Sequence, residues 1–419
     1  MKLIFDINSL VRVESSGAKC KTNSAMGNIC EIKSGAVLFD EKIQFVGTSS
    51  EARDFIKQNN IDVDEEISGK GKTLMPGFVD SHTHIVFAGN RSKEFGRRLQ
   101  GASYKEIAEE GGGIQTTVKA TRSASVEELT ENGRRLALSA IRHGTTTIEV
   151  KSGYSLTLEG EMNQLYAARN LQKELPIEIV PTFLGAHDFP PEERSEHKKY
   201  IDLIVNEMIP RVKAEGLAEY CDAFIDEGYY SLEEGRRVLQ AGLDAGMKIK
   251  VHCDELVNTE SARMVAELGA VSADHLLQIS DEGIDALVKS GTVAGLLPGT
   301  AYFIRMDYAP ARKLIDRGAI VCVATDCNPG SSFTENMQMI LSLSVINMGM
   351  TAEEAITAAT LNAAHALDRS DRIGSIEVGK RADFILLDCP NYTDLFYHFG
   401  INHAEQTWAS GNKVFDKNH

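Results

Sequence analysis

Nowhere in the 419 residues do 18 apolar residues follow one another, whereas a helix needs about 20 to cross a hydrocarbon core. The opening MKLIFDINSLVRVE has an apolar run already broken by Asp6, so neither a membrane span nor a secretory leader is expected. Proline is scarce at 10 residues and tryptophan occurs once, while 42% of the chain is hydrophobic and 25% charged. That balance excludes disorder, collagen-like sequence and coiled coil. The seven cysteines are odd in number and contain no C-x-x-C pair. They read as reduced thiols of a soluble cytoplasmic protein and not as a disulfide framework. Basic residues are in deficit, with 44 Lys and Arg against 60 Asp and Glu for a net charge of −16. The acids are spread along the chain, which argues against a nucleic-acid partner.

What is present is a repeating unit. Five times a helical stretch closes on a glycine and an apolar run follows: AIRHG before TTTIEV, LDAG before MKIKVHCDE, AELG before AVSADHL, VKSG before TVAGLLPG, and IDRG before AIVCVATD. Each glycine sits where a left-handed C-cap ends a helix, and runs without polar alternation are those of strands covered on both faces. Ser125 with Glu128, Ser231 with Glu234 and Thr351 with Glu354 are spaced as capping boxes. With FVDSHTH, EIVPTFLGAH and DAFIDEG the strand count reaches eight. The expected fold is α/β, a TIM-like (β/α)8 barrel over residues 76–372, with a doubly wound sheet as the alternative. Residues 1–75 and 373–419 are different, since short β-like runs such as GAVLFD, KIQFVG and RADFILLD alternate with turns. They are expected to form one discontinuous β-sandwich domain from both chain ends.

In a parallel barrel the chemistry sits at the C-terminal ends of strands and in the loops that follow. Those places hold His82 and His84, His187, His252 and Glu255, His275, and Asp326 with Asn328. His82 and His84 are two apart on a strand and point to one side. With His252 and Asp326 they make a three-histidine, one-carboxylate set suited to zinc or iron. Glu255, three residues after His252, is placed to move a proton between a water and a leaving nitrogen, and His275 to hold that water or a substrate oxygen. There is no G-x-S-x-G elbow and no phosphate loop, and Gly111-Gly112-Gly113 lacks the lysine a phosphate site needs. That run is expected to be a flexible loop beside the site.

In this order, PGFVDSHTH, VHCDE, SADH and ATDCNPG resemble the metal-dependent amidohydrolase superfamily, whose members carry these residues on a TIM-like barrel flanked by a β-sandwich. The longer runs PGFVDSHTHIVFAGNRSKEF, GGGIQTTVKATR, EVKSGYSL, PTFLGAHDFP and ATDCNPGSS are similar to the branch that opens an imidazolone ring in histidine degradation. The resemblance implies one zinc or iron ion per chain on His82, His84, His252 and Asp326, because the binuclear members use a lysine on strand four and FIDEGYY has none. Lys151 is expected at the end of strand two and not as a metal bridge. For the catalytic steps the resemblance implies Glu255, His275 and Asp326. For a small anionic imidazolone it implies Arg91, Tyr104, Tyr154, His187 and Glu255, with Asn328, Gly330 and Ser331 at the propionate end. Arg91 is the residue type that grips a carboxylate by two prongs. A metal-dependent deaminase of a nucleobase or related ring, sharing the same metal ligands, is the competing activity, and a neutral ring gives Arg91 nothing to bind. A homodimer is the default expectation for such an enzyme.

Overall fold

All five glycines that close the helices lie in the left-handed region, with φ of +99° at Gly144, +74° at Gly246, +72° at Gly269, +76° at Gly291 and +91° at Gly318. Gly144 is held on two counts. Besides its φ, a Cβ added there would come 2.0 Å from Ile385 Cδ1, at the join between the barrel and the C-terminal sheet. The three expected capping boxes are all formed, and Thr48 with Glu51 adds a fourth at the start of helix Ser49–Gln58.

A computed structural model of the protein describes residues 1–101 and 112–418. Eight parallel strands form the barrel: β1 (Phe78–Asp80), β2 (Thr145–Lys151), β3 (Glu178–Ala186), β4 (Tyr220–Ile225), β5 (Lys248–Cys253), β6 (Ser272–His275), β7 (Val293–Leu296) and β8 (Val321–Val323). Sequential strands are neighbours throughout. Every residue of β2 and β4 is buried, as strands covered by helices outside and side chains inside require.

The regular ladders of the first and last strands are shorter than the apolar runs imply. β1 stops at Asp80 and β8 at Val323, so Asp326 lies three residues beyond its strand and not at its end. The cause is local: Asp326 adopts φ +50°, which no extended strand accommodates. The ring closes beyond these ladders, where Thr83 pairs with Cys327. His84 N donates to Cys327 O at 3.0 Å, and Asp326 N to His82 O at 3.0 Å. The Asp80 carboxylate accepts from Thr325 N at 3.0 Å and Thr325 Oγ1 at 2.6 Å. Barrel closure is therefore made by the same segments that carry His82, His84 and Asp326.

Two further sheets come from the chain ends. One runs in the order Ile43–Thr48, Gly35–Phe39, Lys2–Ile7, Glu65–Ser68; the other joins both termini as Asn412–Asp416, Ala404–Ala409, Phe384–Leu387, Thr73–Pro76, Ser9–Leu10. Their inner faces share one apolar core, in which Phe39 packs edge-on against Phe384 at 4.8 Å and Trp408 at 5.4 Å between ring centroids. No helix among the described residues is long and apolar enough to cross a membrane.

Candidate active site

Four donor atoms meet at the mouth of the barrel. His84 Nε2 lies 3.3 Å from His82 Nε2 and 3.4 Å from His252 Nε2, while Asp326 Oδ1 lies 3.6 Å from His82 Nε2 and 3.4 Å from His84 Nε2. These spacings are those of donors that could share one metal ion, and His275 also comes within reach of His82 and Asp326. All four side chains are buried. The hydrogen bonds on the far side of the rings say the same thing: His82 Nδ1 donates to Asp274 Oδ2 at 2.7 Å and His252 Nδ1 to Asp222 Oδ1 at 3.2 Å. With Nδ1 of His82 and of His252 carrying the proton, their Nε2 lone pairs point toward His84 Nε2, and the His84 Nδ1 has no partner of its own. Imidazole nitrogens turned inward beside a carboxylate fit a divalent metal ion.

Burial, reinforced by Lys151 and neighbouring histidines, holds His82 well below the ordinary imidazole range; burial, His252 and Lys151 do so for His84. Both are therefore neutral at pH 7, the form a metal needs. Beneath them lies a floor of charge. Lys151 Nζ donates to Asp222 Oδ2 at 2.7 Å and Glu149 Oε1 at 3.0 Å, and Lys250 Nζ to Ser81 O at 2.6 Å, 3.2 Å from Glu149 Oε1. Burial alone would discharge Lys151, but Asp222 and Glu149 outweigh it and keep the ammonium charged. With three buried acids around it, Lys151 is a structural counter-ion at the end of β2, as its sequence position implies.

Glu255 leaves β5 on a short loop whose backbone is held from β4's end: Asp226 accepts from Glu255 N at 2.9 Å, Leu256 N at 2.8 Å and Val257 N at 3.2 Å. Burial first, then the nearby Asp326 and Asp226, push its carboxyl well above the ordinary range. His275, the last residue of β6, sits at φ +78°. Burial lowers its imidazole to about 3. Its Nδ1 is 3.4 Å from Glu255 Oε2, an ion-pair distance, yet neither ring nitrogen has a hydrogen bond. Burial disfavours charge on both partners, so the pair stands side by side without a hydrogen bond. Asp326 Oδ2, the oxygen turned from the histidines, accepts from Thr300 Oγ1 at 2.6 Å.

These groups open into a cavity of about 590 Å³ that is also lined by Arg91, Tyr154, His187, Asn328, Gly330 and Ser331. The His187 ring stacks on His84 at 5.1 Å, its Nδ1 donating to Gly153 O at 2.9 Å, and Tyr154 meets it edge-on at 5.1 Å. Asn328 folds its own loop, Oδ1 accepting from Gly330 N and Ser331 N at 2.8 Å each. Arg91 lies against Gly330, where an added Cβ would come 2.3 Å from Nη1. Tyr104 and Gly111 lie outside the described residues.

Residues 73–414 match the amidohydrolase family. The chain is 46% identical over 412 residues to an imidazolonepropionase of Geobacillus sp. (strain WCH70), covering 98% of this chain and 97% of that one. It is 45% identical over 414 residues to an imidazolonepropionase of Porphyromonas gingivalis (strain W83), with 98% and 97% covered. The chain belongs to the imidazolonepropionases of the amidohydrolase family. As an amidohydrolase it is a hydrolase of carbon-nitrogen bonds in cyclic substrates, and the barrel agrees. A 5-methylcytosine deaminase from Klebsiella pneumoniae liganded with phosphonocytosine superposes with a TM-score of 0.72 at 15% identity, over 99% of this chain and 98% of that one. An adenosine deaminase from Xanthomonas campestris with bound zinc gives 0.69 at 19% identity, over 98% and 92%. At these identities the likeness concerns the fold.

Several contributors escaped the sequence reading of this amidohydrolase. Asp222 and Asp274 lie in apolar strands, and a carboxylate buried there needs a partner; that was the available signal. Asp226, Thr300 and Arg98 gave none, because their partners are set by loop geometry. Arg98 packs its guanidinium over the stacked rings of Phe95 and Phe303, 5.6 and 5.1 Å from their centroids, and donates to Gly330 O at 3.3 Å.

Proposed function

We propose that this enzyme hydrolyses the ring carbon-nitrogen bond of 4-imidazolone-5-propanoate, giving N-formimidoyl-L-glutamate in histidine degradation, with one zinc or iron ion per chain on His82, His84, His252 and Asp326. The observation that carries the reading is the meeting, around one cavity, of His84, His252 and Asp326 with a buried acid, Glu255, whose carboxyl is pushed up, and the Arg91 guanidinium. A metal ion held there supplies an acidified water and a Lewis acid for the ring carbonyl.

The chain's own residues do the rest. Arg91 binds the propionate tail, and the Asn328–Ser331 loop closes on the same end of the substrate. Tyr154 and His187 line the cavity beside the ring, and the family resemblance assigns Tyr104 to the substrate as well. His275 and Asp326 orient the attacking water and take its proton, since the imidazole is uncharged and the Asp326 carboxylate is fixed by Thr300. Glu255, kept protonated by burial, delivers its proton to the ring nitrogen as the carbon-nitrogen bond breaks. The nitrogen leaves with that proton, and the carbonyl carbon becomes a carboxylate. Seven unpaired thiols, five of them buried, accord with a cytoplasmic setting.

The test offers purified protein imidazolone propionate and, separately, cytosine and adenine, following ring absorbance and released ammonia. Ring opening of the anion alone, weakened by Arg91→Ala, is the expected result. Ammonia release from a neutral base, unaffected by Arg91→Ala, would replace the reading with deamination.

A further inference from the structure

Arg91 is not held by the loop that carries it alone. It precedes helix Ser92–Leu99, and one turn on, Glu94 Oε2 accepts from Arg91 Nε at 2.9 Å. The same oxygen accepts from Gly113 N at 3.1 Å, and Oε1 accepts from Thr116 Oγ1 at 2.7 Å, in the first turn of helix Ile114–Ser123. Both oxygens are thus engaged from two sides, and both Arg91 and Glu94 are largely shielded, at 11% and 16% side-chain exposure. The edge used is the informative part. A carboxylate that paired with the two Nη groups would compete with an anionic ligand; one that takes Nε leaves the outer Nη pair clear, in the fork geometry a second carboxylate needs. Among the described residues neither Nη of Arg91 makes a hydrogen bond, and Nη1 lies over the bare face of Gly330.

We propose that Glu94 is a positioning residue for specificity: anchored at Gly113 and Thr116, it sets the plane of the Arg91 guanidinium so that the Nη pair faces a carboxylate in the cavity. The inference rests on the reading of Arg91 as the tail-binding residue. It goes beyond that reading by assigning the selectivity for tail-bearing substrates to a side chain that does not touch the substrate.

The experiment measures kcat and KM for imidazolone propionate and for 5-methylimidazolone, the same ring without the carboxylate, in Glu94→Ala, Glu94→Gln, Arg91→Ala and the Arg91→Ala/Glu94→Ala double variant. Glu94→Ala should raise KM for the tail-bearing substrate about tenfold, the size of one charge-assisted hydrogen bond, with kcat held within about twofold. KM for the tail-less ring should stay within about twofold. Glu94→Gln, which keeps an acceptor and the fold, should fall between. The double variant should be no worse than Arg91→Ala, since the effect runs through Arg91. Equal losses on both substrates, or additive losses in the double variant, would overturn the role of Glu94 and leave Arg91 in place. If Arg91→Ala itself spares tail selectivity, both assignments fall.

Discussion

The floor of the barrel and its mouth use charge in opposite ways. On the floor, Lys151 and Glu149 of β2 meet Asp222 of β4, Lys250 of β5 and Asp274 of β6 across the barrel interior, buried and paired with one another or with ligand histidines. At the mouth, Glu255 and His275 stand beside each other without a hydrogen bond, and Arg91 lines the same cavity with its outer nitrogens making no hydrogen bond among the described residues. A buried charge is stable only when matched, so the matched set is scaffold and the unmatched set is where a ligand supplies what is missing. The two regions therefore respond to substitution differently: the floor through metal affinity and stability, the mouth through turnover.

Glu255→Gln isolates the mouth. The amide keeps the shape and loses the proton, so kcat should fall about 10²–10⁴-fold with metal content unchanged. Turnover within tenfold of the parent would end the assignment of Glu255 as acid. On the floor, Lys151→Met leaves Glu149 and Asp222 without their shared cation, and removing one partner of a buried pair costs about 3–5 kcal/mol. Denaturant unfolding of the metal-free variant checks this, and an unchanged midpoint would mean the network is slack. Asp222→Asn is milder. It weakens the hold on His252 and should lower metal affinity about 10–100-fold in chelator competition, with the fold retained.

The smallest expected effect concerns pH. Two histidines of ordinary pKa near 6.5 would each be about nine-tenths protonated at pH 5.5, and proton competition would weaken metal binding about a hundredfold. Burial depresses His82 and His84, so in the folded protein their protons compete only further down the scale. The sign follows: a depressed imidazole stays neutral as pH falls through 6.5, and affinity measured from pH 7.5 to 5.5 should drop far less than these two would otherwise cause. A full hundredfold loss across that window would show them to titrate normally.

More of the mouth than of the floor was legible in the sequence. Helix, glycine and apolar run repeat plainly, and they place His82, His84, His252 and His275 at one end of a barrel because parallel strands all finish on the same face. Asp326 was legible as a residue but not as a place, since its left-handed backbone ends β8 early and puts it in the closing segment. The Asp226 cage around the Glu255 loop and the Glu94 bridge join residues 29 and 19 apart. Those contacts depend on loop paths that no periodicity encodes. The domain edge at residue 76 follows in the sequence from the change between short β-like runs with turns and the helix, glycine and apolar repeat; the strand Thr73–Pro76 stands in the end sheet and β1 begins two residues later.

The most direct test of the account is to strip the protein with chelator and return zinc or iron(II) stepwise while measuring imidazolone propionate ring opening and bound metal on the same samples. Activity absent without metal, rising in proportion to it and saturating at about one ion per chain is the predicted result. Ring opening by the stripped protein, or none at a full complement of metal, would contradict it.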